Sequence, residues 1–310
     1  MIIYRDINNL PAFNNAVITI GFFDGVHNAH RLIIQQLINE SKIVKGCSVV
    51  ITFSPHPRII LGNEIKSFPL LNTFDEKCHL LEDAGVDYVI VVPFTKAFSE
   101  LNADEYIQSF LVKYFNPHSI IIGYDHHFGK NRAGNFILLK QNAEKFGYIV
   151  KEIPEYIIND ITISSTRIRE MIMAGDIDSV NKLLGYHYFF SGEVVKGNTL
   201  GRTIGFPTAN LMVEKDNKLI PGDGVYAVVI RIENTVTIFK GMMNIGIKPT
   251  FGINERKIEV NIFDFDKDIY GQKLHITIHS RLRSEKKFDG IKELSTQLVL
   301  DKEKALLILN

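Results

Sequence analysis

Tryptophan is absent from this 310-residue chain, and cysteine occurs only twice, at Cys47 and Cys78. Two thiols exclude a disulfide framework, and a cysteine-rich zinc site would need several histidines in support. Both are expected as reduced core residues, because free cysteine packs as a small apolar side chain. A surplus of one charge is also missing, with 35 Lys and Arg against 35 Asp and Glu. The chain therefore offers no overall footprint for nucleic acid or an anionic membrane, although a local phosphate site needs none. No apolar run approaches the ~20 residues that span a bilayer. Met1-Ile2-Ile3-Tyr4-Arg5-Asp6 lacks the basic region and long apolar stretch of a secretory signal. A cytoplasmic location is expected. What remains is an ordinary globular balance, 45% hydrophobic and 23% charged, long enough for two domains with separate cores.

The first half alternates strand and helix signals. Apolar, β-branched runs at Ala16–Ile20, Ser48–Phe53, Tyr88–Val92, Ser119–Ile122 and Tyr148–Ile153 alternate with helical patterns at Arg31–Ile43, Asp75–Ala84, Ala103–Tyr114 and Phe136–Phe146. Strands that are apolar throughout predict a parallel, Rossmann-like sheet covered on both faces, with ligands beyond the strands' carboxyl ends. The loops Gly21–His30 and Gly123–Gly134 lie at two such ends. After Ile163 the pattern changes. Two short helices, Ser164–Ala174 and Ile177–Leu184, precede alternating strands at Tyr188–Val195, Gly224–Ile232, Val236–Met243, Lys257–Phe263 and Lys273–His279. Consecutive short strands separated by glycine-rich turns predict a small antiparallel β-barrel. Two helices, Gly290–Leu298 and Lys302–Leu309, are expected to end the chain, and the domain boundary is placed at Gly185, giving domains 1–185 and 186–310.

Gly21-Phe22-Phe23-Asp24-Gly25-Val26-His27-Asn28-Ala29-His30 is neither a dinucleotide fingerprint nor a Walker loop. It still has the physics of an anion site. Two glycines admit a ligand to the backbone, and the following helix directs N–H groups outward. His27 and His30 share one face and can both donate to phosphate oxygens. Chance spacing or half a metal site are the plainer readings of that pair. In the second half, Gly201-Arg202-Thr203-Ile204-Gly205-Phe206-Pro207-Thr208-Ala209-Asn210 joins a pliable loop to an extended segment. Thr208 and Asn210 point to one side of it and carry neutral oxygens suited to Mg2+. Spacing alone is equally consistent with a glycine-rich hairpin that has a polar face. Glu259, within Lys257-Ile258-Glu259-Val260-Asn261, reads by itself as a solvent-facing acid.

Ile18 to His30 resembles the FMN-adenylyltransferase half of bacterial FAD synthetases, within the wider H-x-G-H nucleotidyltransferases. Ala29 stands where that motif has glycine. Thr52–Arg58, Pro93–Thr95, Gly123–Gly129 and Ile163–Arg169 follow in the family's order. The resemblance implies that Gly21, Phe22, Asp24, Gly25, His27, His30, Ser165, Thr166 and Arg167 bind ATP. His27, His30 and Arg167 would contact its phosphates, and Asp125 and Phe128 would lie near the isoalloxazine. A Ser-Ser-Thr before a helix is otherwise an ordinary N-cap. Gly201 to Asn210 is similar to the P-T-A-N motif of riboflavin kinases, joined in order by Gly224–Ala227, Asn244–Gly246, Pro249–Gly252, Glu259–Gly271 and Arg283–Phe288. This implies a six-stranded kinase barrel in which Gly201, Arg202, Gly205, Pro207 and Thr208 bind ATP, and Thr208 and Asn210 hold Mg2+. Asn244 and Arg283 would meet the flavin, and Glu259 would act as base. The implied activities are riboflavin phosphorylation to FMN and FMN adenylylation to FAD. A kinase-only enzyme, or a flavin-binding protein without turnover, are the alternatives. Small-molecule partners are expected, with oligomeric state open, a homo-oligomer included.

Overall fold

The computed structural model describes residues 1–61, 68–153, 157–158, 161–197, 201, 204–213, 217–250 and 253–310. The chain divides into two compact units, Met1–Ser164 and Ser165–Asn310.

The first unit is a six-stranded sheet in the order β1-β4-β3-β2-β5-β6, formed by β1 (Ile2–Tyr4), β2 (Val17–Ile20), β3 (Ser48–Ser54), β4 (Tyr88–Pro93), β5 (Ser119–Gly123) and β6 (Ile149–Ile153). Every pairing is parallel, and a separate two-stranded antiparallel sheet pairs β7 (Ile157–Ile158) with β8 (Ile161–Thr162). Alternate residues go to opposite faces and both faces are covered. Ile18, Ile20, Val49, Ile51 and Ile90 enter one core, whereas Val17, Val50, Val89 and Ile121 enter the other. That explains the unbroken apolar runs. The order reverses between β2 and β5, so the loops leaving these two strands face each other at the switch point. The short edge strand β1 carries no such run, and sequence pattern did not reveal it. Cys47 is half-buried and Cys78 buried, both as free thiols.

The second unit is a closed barrel in the order β10-β13-β12-β11-β14-β9, antiparallel throughout, as expected. Its strands are β9 (Phe189–Val195), β10 (Ala209–Met212), β11 (Gly224–Ile232), β12 (Ile238–Thr250), β13 (Ile253–Ile262) and β14 (Lys273–Arg283). Two differences from the sequence reading have clear causes. β12 runs on past Met243, because Asn244, Ile245 and Gly246 continue the ladder opposite Glu259, Ile258 and Lys257. The C-terminal helix is one element, Ile291–Ile308, not two. Asp301, where a break was expected, is 3% exposed and is satisfied by Arg283 of β14 and by Gln297 within the helix.

The helices Ser165–Ala174 and Ile177–Leu184 belong to the barrel unit, so the division lies about one helical hairpin before Gly185. Asn181 fixes the second helix to β14 through the Ile278 and His279 carbonyls at 3.0 and 3.1 Å, and it accepts from Tyr188 N at 2.7 Å. Ile168, Ile172, Ile177, Val180 and Leu184 are fully buried. A fragment Leu183–Asn310 should consequently be less stable than Ser165–Asn310, by at least ~2 kcal/mol, the scale of losing one or two buried aliphatic side chains. Urea melts of the two fragments test this; coincident midpoints would show that the hairpin adds nothing.

Candidate functional site

The loop after β2 is tightly wound. Phe23, Gly25 and Val26 all have positive φ (49°, 85° and 35°), so only Gly25 adopts its conformation without strain. Two polar side chains hold the loop in place. Asp24 accepts from the backbone N–H groups of Leu71 and Asn72 at 3.0 and 3.3 Å. Lys77 donates to the Phe22 carbonyl at 3.2 Å and to Thr52 Oγ1 at 3.0 Å. Burial lowers the Lys77 pKa, opposed by the Asp24 carboxylate. Gly21 N donates to the Ile51 carbonyl at 3.0 Å, and the Phe22 ring lies against Phe53, His56 and Phe94.

His27 caps the helix Asn28–Ile43, its Nδ1 accepting from His30 N at 3.4 Å. An accepting Nδ1 leaves the ring proton of neutral His27 on Nε2. The two imidazoles stack with centroids 3.6 Å apart. His30 Nδ1 is buried without a hydrogen-bond partner. Burial, then His27, then Lys77 hold its pKa well below the usual range. A neutral imidazole such as His30 at a helix start can donate a hydrogen bond to an anion without adding charge.

Across the switch point, Asp125 is exposed with Oδ1 over Gly123, whereas Phe128 is a core residue stacked on Tyr106 at 4.9 Å. His126 Nε2 is buried without a partner, and its pKa is lowered to about 4 by burial, then by His127 and Arg132. A histidine kept neutral by the fold but ordinary when unfolded makes the unfolded state bind more protons between the two values. Its stabilisation is therefore full above about pH 6.5 and is lost as pH falls toward 4. His30 acts in the same direction. Stability should drop by roughly 3 kcal/mol over that window on account of His126, and His126→Asn should flatten the profile. Thermal melts at pH 7 and pH 4.5 check this.

Ser165 is half-buried and Thr166 and Arg167 are exposed in the first turn of helix Ser165–Ala174, which lies in the second unit.

In the barrel the residues singled out from sequence share one cross-strand row. Asn210 on β10 stands opposite Glu259 on β13, Glu259 opposite Asn244 on β12, Asn244 opposite Val225 on β11, and Val225 opposite Arg283 on β14. Directly opposed residues project to the same face. The neighbouring row, Leu211-Ile258-Ile245, is buried inside the barrel, so the polar row faces outward. At Val225 it meets a buried core cluster, in which Val225, Ala227, Met242 and Leu282 pack against Ala305 of the C-terminal helix, with Phe206 and Leu298 alongside.

Beside this row is a cavity of about 360 Å³ lined by Gly201, Pro207, Thr208, Asn210, Asp266 and Tyr270, among others. The Gly201 carbonyl accepts from Ile204 and Phe206, Gly205 takes φ 79°, and Asn261 donates to the Pro207 carbonyl at 2.7 Å. Arg202 lies outside the described residues. Arg283 is partly buried. Its Nε lies 2.9 and 3.1 Å from the two Asp301 oxygens, and its Nη2 lies 2.9 Å from Oδ2, docking the C-terminal helix. Sequence reading assigned no role to Asp301, Lys77 or Asp266. Only Asp301 had a signal, an acid where the apolar helical pattern was interrupted.

The residues expected to hold a metal supply hard oxygen donors at the cavity, a fit to Mg2+. No cluster of three or more His, Cys, Asp or Glu side chains that could hold a metal occurs among the described residues. A metal here would take most of its ligands from substrate phosphates and water.

Residues 10–167 match the FAD synthetase family, and residues 184–309 match the riboflavin kinase family. The chain is 36% identical to the bifunctional riboflavin kinase/FMN adenylyltransferase of Bacillus subtilis over 94% of this chain and 92% of the relative. It is 35% identical to that of Haemophilus influenzae over the full length of both, and 33% identical to that of Escherichia coli K12 over 97% and 96%. A crystal structure described as a macrolide-efflux protein from Streptococcus pneumoniae superposes with a TM-score of 0.89 at 33% identity, covering 97% of each chain. Among the described residues, no helix is long and apolar enough to cross a membrane.

Proposed function

We infer the division of labour along this chain from one premise, that it belongs to the bifunctional riboflavin kinase/FMN adenylyltransferase family. The protein phosphorylates riboflavin to FMN with ATP, and it adenylylates FMN with ATP to give FAD and pyrophosphate. The residue roles below are our reading of how it does so.

In the kinase half, Glu259 accepts the riboflavin 5′-hydroxyl proton as that oxygen attacks the γ-phosphorus of ATP and ADP leaves. Gly201, Arg202, Gly205, Pro207 and Thr208 bind ATP, Asn244 meets the flavin, and Arg283 fixes the flavin end through its pair with Asp301. Thr208 and Asn210 hold Mg2+, which when bound neutralises charge on the phosphates. The outward row Asn210-Glu259-Asn244, beside a cavity at Thr208, carries this reading.

In the other half, the FMN phosphate oxygen attacks the ATP α-phosphorus and pyrophosphate leaves, with no covalent enzyme intermediate. Positioning and charge neutralisation supply the rate. Gly21, Phe22 and Gly25 frame the nucleotide, with Asp24 holding that loop in shape. His27 and His30 donate to phosphate oxygens, and Ser165, Thr166 and Arg167 bind the triphosphate. Asp125 lies beside the isoalloxazine, and Phe128 supports that wall from the core. A cytoplasmic location fits substrates made and used there. Purified protein incubated with riboflavin, ATP and Mg2+ should yield FMN and then FAD when the flavins are separated over time. Bound FMN without ATP consumption, or FMN with no FAD, would favour the binding-protein or kinase-only alternative.

A further inference from the structure

The helix that carries Ser165, Thr166 and Arg167 is built into the kinase barrel. The FAD synthetase match ends at residue 167, yet the first compact unit ends at Ser164. The far end of that ten-residue helix is fastened to the barrel at several points. Gly222 N donates to the Ile172 carbonyl at 2.9 Å, and Arg281 Nη1 donates to the Ala174 carbonyl at 3.3 Å. Arg281 Nη2 also donates to the Asp223 carbonyl. Its guanidinium is sandwiched between Gly175 and Gly224, two positions where a Cβ would press on it, and Gly175 needs its positive φ of 78° to end the helix. Arg256 binds the Asp223 carboxylate at 2.6 Å, and Tyr226 donates to the Gly222 carbonyl. Gly224-Val225-Tyr226, part of the segment that resembles the kinase motifs, thus also helps to form a mount for the helix.

We propose that Arg281, on strand β14 of the kinase barrel, is a positioning residue for FAD synthesis, holding the segment Ser165-Thr166-Arg167 in place for ATP. This rests on the reading that this segment binds ATP in adenylyl transfer. A helix of this length is a rigid rod of about 15 Å, so a shift where Arg281 grips it is passed to Arg167. Misplacement of ~1 Å can cost 10²-fold where catalysis depends on positioning. Ile168 and Ile172 of the helix are buried, and the hydrogen bond from Gly222 N to the Ile172 carbonyl does not involve the arginine, so loss of the grip should misalign the segment and leave the fold intact.

The test compares Arg281→Met and Arg281→Lys in the full chain, measuring kcat and KM for ATP in both reactions, FMN being supplied for the second. Arg281→Met should lower kcat/KM for ATP in FAD synthesis by ~10-fold or more, while riboflavin phosphorylation stays within about twofold. Lysine, which keeps one donor for the Ala174 carbonyl, should retain part of the loss-sensitive activity. Parallel losses in both reactions, or no loss in either, would overturn the proposal. If Arg281→Met fails to fold, Arg281→Lys at near-native melting temperature must still show the one-sided loss. Arg167→Ala separates the two levels. Intact FAD synthesis in that variant refutes the reading of the segment, whereas its loss together with an unaffected Arg281→Met refutes only the proposal.

Discussion

Glu259→Gln should lose ~10² to 10⁴ in the rate of riboflavin phosphorylation, the usual cost of removing a general base, while FAD formation from supplied FMN continues at the normal rate. The amide keeps the size of the carboxylate and cannot take the hydroxyl proton. Glu259 projects from the outer face of the barrel, away from the buried Ile258 and Val260, so the substitution removes no core packing. Melting temperature should accordingly remain close to that of the parent. Near-normal kinase turnover in a folded Glu259→Gln protein would rule out the role assigned to this residue.

His30→Ala should do the reverse, lowering FAD synthesis by ~10² to 10³, the range seen when one donor to developing charge is removed, with kinase turnover unchanged. The stacked His27 ring loses its partner as well, so part of the effect arises through the neighbouring donor. Because the fold keeps His30 neutral, its titration should leave no inflection in the pH–rate profile of FAD synthesis between pH 6 and 8. A clear inflection that disappears in His30→Ala would mean that the charged form takes part. Equal loss of both activities would instead indicate misfolding.

The sequence was most informative where physics leaves a periodic or compositional mark. Both-face burial wrote the unbroken runs at Val17–Ile20 and Ser119–Gly123, and outward alternation wrote the β13 pattern around Glu259. Asn210, Glu259 and Asn244 lie far apart in the chain, and only strand register brings them into one row. Family resemblance had grouped them, but spacing could not. Strand β1 was invisible because three half-exposed edge residues carry no period. The C-terminal helix was split on paper because Asp301 interrupts its apolar pattern, and nothing local announces that Arg283, from another strand, will satisfy that acid. Likewise, nothing in Ser164–Leu184 says which unit the two helices join. That is decided by hydrogen bonds from Arg281, Gly222 and Asn181, all long-range or aimed at distant carbonyls.

Barrel closure also imposes an order in time. Strand β9 pairs with β14, Glu193 opposite Lys273, so the ring cannot shut until nearly the whole chain has left the ribosome. The parallel sheet has all its strands by Ile153. Long-range pairing is slow because loop entropy must be overcome before contacts reward it. During synthesis the sheet can therefore settle first, while the helix Ile177–Leu184, with Val180 and Leu184, waits for the strand β14 against which it packs. An enzyme refolded from denaturant should regain FAD synthesis no sooner than riboflavin phosphorylation, although the residues of its first nucleotide loop are the earliest to be made.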